Sequence, residues 1–245
     1  MKDDGVALLS LSGITKRFGR MEALSGVSMS VERGEVVALI GPNGSGKTTL
    51  LNVISGLLFA DEGTILFEGK RIDRLPPHSR SRLGVNRTFQ MPHPFSGLSV
   101  LENVLIAARF GRRRHEDVET LAESILKLTG LSAFADTQSG SLNTGQKKML
   151  DLAKALATGP KLLLVDEIAA GLSHGEMESI SKLLGEVART VEGMIVVEHV
   201  MGFIRMVTER VVVLDAGTKI FDGSFSDAVR DEHVREVYIG KGKDP

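Results

Sequence analysis

The spacing of apolar and polar positions changes character twice along the chain. Val6 to Ser12 and Leu24 to Val31 are β-like runs, and the polar stretch Lys16-Arg17-Phe18-Gly19-Arg20 between them reads as a turn. Val36 to Ile40 is an unbroken apolar run, the kind buried on both faces of a parallel sheet. A glycine-rich loop follows, and then Lys47 to Leu57, where Leu50, Leu51, Ile54 and Leu58 recur at helical spacing. Gly63 to Phe67 reads as another strand, so the chain up to residue 90 predicts strands with one helix. The period then becomes helical over Val100 to Phe110, His115 to Thr129 and Thr144 to Thr158. Strand and helix alternate again through Leu162 to Val165, the amphipathic Glu176 to Val191, and Met194 to Val197. Val211 to Leu214 and Lys219 to Phe221 flank the turn Asp215-Ala216-Gly217 as a hairpin. Short helices at Ser226 to Arg230 and His233 to Tyr238 follow. No repeat, low-complexity segment or linker interrupts the series. It predicts an α/β fold with a mostly helical insertion near residues 91–157.

Composition narrows the chemistry. A chain of 245 residues can bury a core without disulfides, and the absence of cysteine excludes a thiol nucleophile and a zinc ribbon. Thirty Lys+Arg against 31 Asp+Glu give a net charge of −1, which is no footprint for nucleic acid. The longest apolar runs, such as Val36 to Ile40, fall far short of the roughly twenty residues a membrane-spanning helix needs. Met1-Lys2-Asp3-Asp4-Gly5 lacks the apolar stretch of a signal peptide. A soluble intracellular protein is expected.

The loop after Ile40 carries the first chemistry. Gly41-Pro42-Asn43-Gly44-Ser45-Gly46-Lys47-Thr48-Thr49 fits the phosphate-binding pattern G-x-x-x-x-G-K-[ST]. Phosphate oxygens need several donors converging from one side, so the backbone must curl with its N–H groups inward. Glycines at 41, 44 and 46 permit that curl and keep Cβ atoms out of the way. The helix opening at Lys47 adds about half a positive charge at its N-terminus. Lys47 would reach the β- and γ-phosphates of ATP, and the Thr48 hydroxyl would ligate Mg²⁺. The bare pattern arises in about one random chain in a hundred of this length. Here it also follows a buried strand and opens a helix, as the chemistry requires.

A second element completes a hydrolytic site. Lys161-Leu162-Leu163-Leu164-Val165-Asp166-Glu167 is an apolar strand ending in two carboxylates. Asp166 can hold Mg²⁺ opposite Thr48, and Glu167 can take the proton from a water attacking the γ-phosphate.

Ser141-Leu142-Asn143-Thr144-Gly145-Gln146, just before that strand, resembles the signature motif of ATP-binding cassette (ABC) ATPases, commonly L-S-G-G-Q. Other landmarks of that family stand in order. Gln90, in Arg87-Thr88-Phe89-Gln90, is similar to the Q-loop glutamine, Ala170-Gly171-Leu172-Ser173 to the D-loop, His199 to the switch histidine, and Phe18 to the A-loop aromatic. The resemblance runs from about residue 6 to residue 240. It implies an ABC-type P-loop NTPase: a RecA-like core (1–90 and 158–245) with an antiparallel β subdomain, and a helical subdomain at 91–157. It also implies a site split between two cassettes packed head to tail, each ATP lying between the P-loop of one and the signature of the other. On that basis Asn143, Thr144, Gly145 and Gln146 bind the partner's nucleotide, and Gln90 joins Thr48 and Asp166 around Mg²⁺ and reports occupancy. His199 orients the attacking water beside Glu167, and Phe18 stacks the adenine. With no Trp and the one Tyr distant in sequence, no other aromatic offers itself.

Several positions depart from the family pattern: Asn143 and Thr144 in the signature, Ile168 where proline commonly follows the acid, Ser173 in the D-loop and Val200 after the histidine. Asn143 can still donate to a phosphate through its amide. Asn86 to Gln90, Glu167 to Leu172 and the ending Val234 to Gly240 resemble the ATPase subunits of branched-chain amino-acid importers. Such a subunit lies on the cytoplasmic face of the membrane beneath two permease chains fed by an extracytoplasmic solute-binding protein, paired with a sister chain or itself. Urea and amide importers, lipopolysaccharide-export ATPases, non-transport ABC ATPases and a catalytically weak partner subunit stay open as alternatives. Lys147 and Lys148 read as a solvated helix start, and Arg112-Arg113-Arg114 as an exposed connection. His78, His93, His115, His174 and His233 show no ligand-like spacing.

Charge-assisted hydrogen bonds contribute about 1.5–3 kcal/mol each, whereas one stacked base contributes about 1–3 kcal/mol in total. Lys47→Ala is therefore expected to abolish nucleotide binding and Phe18→Ala only to weaken it, in titrations with a fluorescent ATP analogue. Unchanged affinity in Lys47→Ala would overturn that ranking.

Overall fold

A computed structural model describes residues 6–112 and 117–239. Residues 1–5, Arg113, Arg114, His115 and Glu116, and Gly240 with the residues after it, lie outside the described residues. The strands β1 (Leu9–Phe18), β2 (Met21–Val31) and β3 (Glu35–Ile40) lead into helix α1 (Lys47–Ser55). Then come β4 (Glu62–Phe67), β5 (Lys70–Arg71), α2 (Pro77–Leu83) and β6 (Val85–Arg87). Three helices follow, α3 (Val100–Phe110), α4 (Val118–Leu128) and α5 (Thr144–Ala157). The chain continues through β7 (Leu162–Asp166), α6 (His174–Ala188), β8 (Gly193–Val197) and α7 (Met201–Val207). Last are β9 (Arg210–Asp215), β10 (Thr218–Ser224), α8 (Phe225–Ala228) and α9 (Glu232–Ile239).

Two sheets form. One is antiparallel, in the order β2-β1-β4-β5. The other runs β10-β9-β3-β8-β7-β6, parallel from β9 to β6, with β10 pairing antiparallel at one edge. Period-two alternation distributes the apolar strands between two interiors. Leu39, Leu164, Ile195 and Val197 pack with α1 and the antiparallel sheet. Leu163, Val165, Met194 and Val196 face the other way, into a core shared with α3, α4, α5 and α6. All five residues of β7 and of β8 are buried, as unbroken apolar runs in a parallel sheet should be.

The expected turn at Lys16 to Arg20 is a correction: β1 continues to Phe18, and the reversal is confined to Gly19 and Arg20. Cross-strand pairing sustains this polar strand end. Arg17 bonds Glu22 and Glu62 at 2.9 and 2.7 Å, and Lys16 bonds Asp61 at 3.0 Å. The helices α2 and α7 and the short strands β5 and β6 are additions to the elements expected from periodicity.

Helix α2 is the informative addition. Its single buried residue is Arg80, at 0% exposure, and all its hydrogen bonds go to backbone carbonyls. The guanidinium donates to Val53 O (2.6 Å), Ile54 O (2.9 Å), Leu75 O (2.9 Å) and Asp73 O (3.0 Å). Val53 and Ile54 are in the last turn of α1, so a buried cation supplies donors to carbonyls where the helix dipole is negative, Val53 O accepting the Gly56 N–H as well. Burial pushes the Arg80 guanidinium down to about 10, still fully charged at neutral pH. Arg80→Met fills the space but takes this donor from the Ile54, Leu75 and Asp73 carbonyls, while Val53 O keeps only the long bond from the Gly56 N–H at 3.3 Å. It is expected to lower stability in urea unfolding by about 3 kcal/mol; a loss under about 1 kcal/mol would show that the carbonyls find other partners.

Candidate nucleotide site

The site lies at the carboxyl ends of the parallel strands, where open α/β sheets hold their ligands. Gly41 follows β3, Asp166 ends β7 with Glu167 after it, His199 lies just past β8, and Arg87 ends β6. Strand register fixes these neighbours: Leu39 of β3 and Asp166 of β7 both pair with Val197.

The loop between β3 and α1 has little freedom. Gly41 has φ +148°, and a Cβ there would stand 2.1 Å from the Leu214 carbonyl oxygen. Gly46 has φ +104°, with the Ala23 carbonyl oxygen 2.7 Å from any added Cβ. Helix α1 starts with no side-chain cap and no acidic residue in its first turn. Helices α3 and α5, by contrast, close their N-termini with the capping boxes Ser99–Glu102 and Asn143–Gln146. The first N–H groups of α1 are thus left for an anion. Lys47 is 7% exposed and folds over its own loop, its Nζ donating to Gly41 O and Pro42 O at 2.8 Å each. Burial lowers its pKa, against the opposing charges of Glu167 and Asp166.

A cavity of about 1000 Å³ opens in front of this loop. Phe18, Gly41, Pro42, Asn43, Gly44, Gly46, Lys47, Thr48 and Thr49 line it, together with Gln90, Glu167 and His199. Ser45 is buried behind the loop at 2% exposure, and Asp166 at 3%. Gln90 Nε2 donates to Glu167 Oε2 at 2.7 Å, joining two residues 77 apart in sequence. Glu167 adopts φ +47°, a left-handed conformation that costs a non-glycine residue about 1–3 kcal/mol. The Asp166 carboxylate accepts from Arg87 Nη2 at 2.9 Å through Oδ2, while Oδ1 is buried with no hydrogen-bond partner. Burial pushes the Asp166 carboxyl up, and the Arg87 charge opposes that rise.

The signature residues stand elsewhere. Asn143, Gly145 and Gln146 line a separate cavity with Lys148 and Ile168. Asn143 Oδ1 accepts from the Gln146 N–H at 2.8 Å, and Gln146 Oε1 from the Asn143 N–H at 3.0 Å. Thr144 is exposed in the first turn of α5. One chain therefore gathers the loop, Gln90, Glu167 and His199 around one cavity and leaves its signature facing another.

Three residues near the site were not legible from the sequence. Tyr238, distant in sequence, lines the same cavity as the loop. Its hydroxyl is buried beside Gly41, and burial pushes the phenol up to about 12. Lys148 is not a solvated helix start. Its Nζ donates to the carbonyls of Glu167 (3.0 Å), Ile168 (3.3 Å) and Ala170 (2.8 Å), and burial lowers its pKa. Glu198, 0% exposed, accepts the Ala169 N–H at 2.7 Å, and burial raises its carboxyl. Together Lys148 and Glu198 strap the loop after Glu167 from two sides. A charged residue adjoining a motif is the only sequence signal either one carries. Among the described residues, no cluster of three or more His, Cys, Asp or Glu could hold a metal by itself.

The family model described as "ABC transporter" matches residues 24–170. The chain is 36% identical to the probable branched-chain amino acid transport ATP-binding protein LivG of Archaeoglobus fulgidus, with 95% of each chain covered. It is 34% identical to the high-affinity branched-chain amino acid transport ATP-binding protein BraF of Pseudomonas aeruginosa, over 96% of this chain and 98% of that one. A nucleotide-free ATP-binding cassette from an ABC transporter superposes with a TM-score of 0.87 at 34% identity, covering 96% of this chain and all of the other. A dimeric cassette in a post-hydrolysis state, bound to ADP and Pi, superposes with a TM-score of 0.80 at 27% identity, over 89% and 98% of the two chains. The chain belongs to the ABC transporter family, as one of its ATP-hydrolysing cassettes.

Proposed function

We propose that this chain is the ATPase subunit of an importer of branched-chain or similar small amino acids. In this reading it works on the cytoplasmic face of the membrane beneath two permease chains, fed indirectly by an extracytoplasmic solute-binding protein. The substrate class rests on the similarity to LivG and BraF. The observation that carries the mechanism is the division of the site: the phosphate loop, Gln90, Glu167 and His199 share one cavity, and the signature residues face another. Two copies, or this chain and a sister chain, packed head to tail would complete each site from both sides. The ATP-binding core then comprises residues 1–90 and 158–245, and the helical lobe residues 91–157.

ATP enters with its adenine on the Phe18 ring and its phosphates on the loop from Gly41 to Thr49. Lys47 exchanges its loop carbonyls for the β- and γ-phosphate oxygens, so the charge is already in place when phosphate arrives. The oxygen donors Thr48, Asp166 and Gln90 suit Mg²⁺, a hard cation usually held by one or two protein ligands plus phosphates and water. The unpartnered Asp166 Oδ1 and the exposed Thr48 fit that role. When bound, Mg²⁺ neutralises charge building on the β- and γ-phosphates. Glu167 takes a proton from water as its oxygen bonds to the γ-phosphorus, and the bond to the β-phosphate oxygen breaks with its electron pair leaving on ADP. His199 orients that water, and Asn143 with the Thr144–Gln146 backbone caps the partner's γ-phosphate.

A groove of about 470 Å³ suits the permease. Leu57, Pro77, Phe89, Ala107 and Ala155 line it, and exposed Phe59, Met91 and Phe95 lie close in sequence. Among the described residues no helix is long and apolar enough to cross a membrane, so membrane attachment would run through such a contact. Co-purification from membranes should recover two permease chains, and deletion of this chain should abolish leucine uptake by intact cells. Glu167→Gln is expected to cut ATP turnover at least about 100-fold, the contribution of a general base, and to accumulate an ATP-bound dimer in size-exclusion chromatography. Normal turnover in that variant would remove Glu167 as the base.

A further inference from the structure

We propose that Arg87 is a positioning residue that carries the arrival of a divalent cation at Asp166 to the apolar groove at Phe89. The inference rests on the nucleotide-site reading above and assigns Arg87 a task outside phosphate binding and proton transfer.

Arg87 stands where three parts of the fold meet. Its Nη2 donates to Asp166 Oδ2 at 2.9 Å, in a pair whose side chains are 6% and 1% exposed. Solvent screens such a pair little. Its Nη1 donates to Asn52 Oδ1 at 2.5 Å, on the same helix α1 whose N-terminus faces the phosphates. Its Nε donates to the Thr88 carbonyl at 3.1 Å, and the guanidinium lies 4.9 Å from the centroid of the Phe89 ring. Phe89 is 42% exposed and lines the groove, while its N–H is pinned by Asp151 Oδ2 of α5 at 2.6 Å.

Charge supplies the mechanism. The Asp166 carboxylate offers one oxygen to Arg87 and keeps the other, buried, without a partner. With a cation held at Oδ1, the Asp166 carboxylate would be shared by two positive groups in a weakly screened setting. They repel, and the Nη2–Oδ2 bond weakens. The guanidinium keeps Asn52, the Thr88 carbonyl and the Phe89 ring as its remaining partners, so it shifts toward them. The Phe89 backbone is held by Asp151, which leaves the ring as the part free to respond, and the ring is what the groove presents. Linkage makes the coupling reciprocal: a partner that fixes Phe89 would alter the hold of Asp166 on the cation.

The chain has no tryptophan, so Phe89→Trp places a single emitter under the guanidinium. In the full-length Phe89→Trp protein saturated with a non-hydrolysable ATP analogue, adding Mg²⁺ is expected to shift the tryptophan emission. The analogue in EDTA, with binding followed separately by calorimetry, should not produce that shift. In Phe89→Trp/Arg87→Met the analogue should still bind in EDTA while the Mg²⁺-dependent shift is lost. If thermal melting shows that Arg87→Met does not fold, Arg87→Gln, which keeps a donor for Asn52 but no charge, is read the same way. A Mg²⁺-dependent shift of undiminished size without Arg87 would overturn the proposal. So would a Phe89→Trp protein that binds the analogue and gives no shift with Mg²⁺. Failure of the unsubstituted chain to bind any nucleotide would overturn the site reading itself, and this proposal with it.

Discussion

The unfilled N-terminus of α1 is the constraint around which the rest of the molecule is arranged. A helix beginning with several unpaired N–H groups is stable only if something else holds it in place. Here β3 delivers the chain to that point from the middle of a parallel sheet, and Gly41 and Gly46 let the loop pass beneath Leu214 and Ala23. At the far end, the buried Arg80 guanidinium donates to carbonyls in the last turn of α1. The helix is thus secured at its C-terminus, and its N-terminus stays available for phosphate.

The acidic side of the site follows a similar logic, with restraint coming from residues that do no chemistry. Glu167 sits in a left-handed conformation, and the chain after it is gripped by Lys148 from α5 and Glu198 from the end of β8. Helix α5 begins with the signature residues, so one lysine links the segment that opens α5 to the loop that follows Glu167. The departures from the family's usual residues sit within this frame without disturbing it. Ile168 is buried in the core, and Ser173 opens α6 with its amide and hydroxyl both donating to Glu176.

Most of this was legible in the sequence wherever the cause is local. The buried strands are apolar runs, the phosphate loop is spelled by its glycines, and α3 and α5 announce themselves by periodicity. What escaped depends on partners far away in the chain. Helix α2 buries one arginine and presents no apolar stripe, so no period could show it. Strand β6 is three residues long and owes its existence to pairing with β7. The strand end at Lys16 to Phe18 is polar because Glu22, Asp61 and Glu62 face it across the sheet. Tyr238 reaches the phosphate loop only because α9 folds back over it, and Lys148 could be placed only once the loop at Glu167–Ala170 was seen to run beneath α5.

The backbone of Glu167 carries an evolutionary consequence. Glycine or asparagine would occupy φ +47° with less strain, so selection for heat resistance alone would steadily erode the acid at this position. A glutamate at this position therefore trades folding comfort for a carboxylate in the cavity that the loop from Gly41 to Thr49 lines.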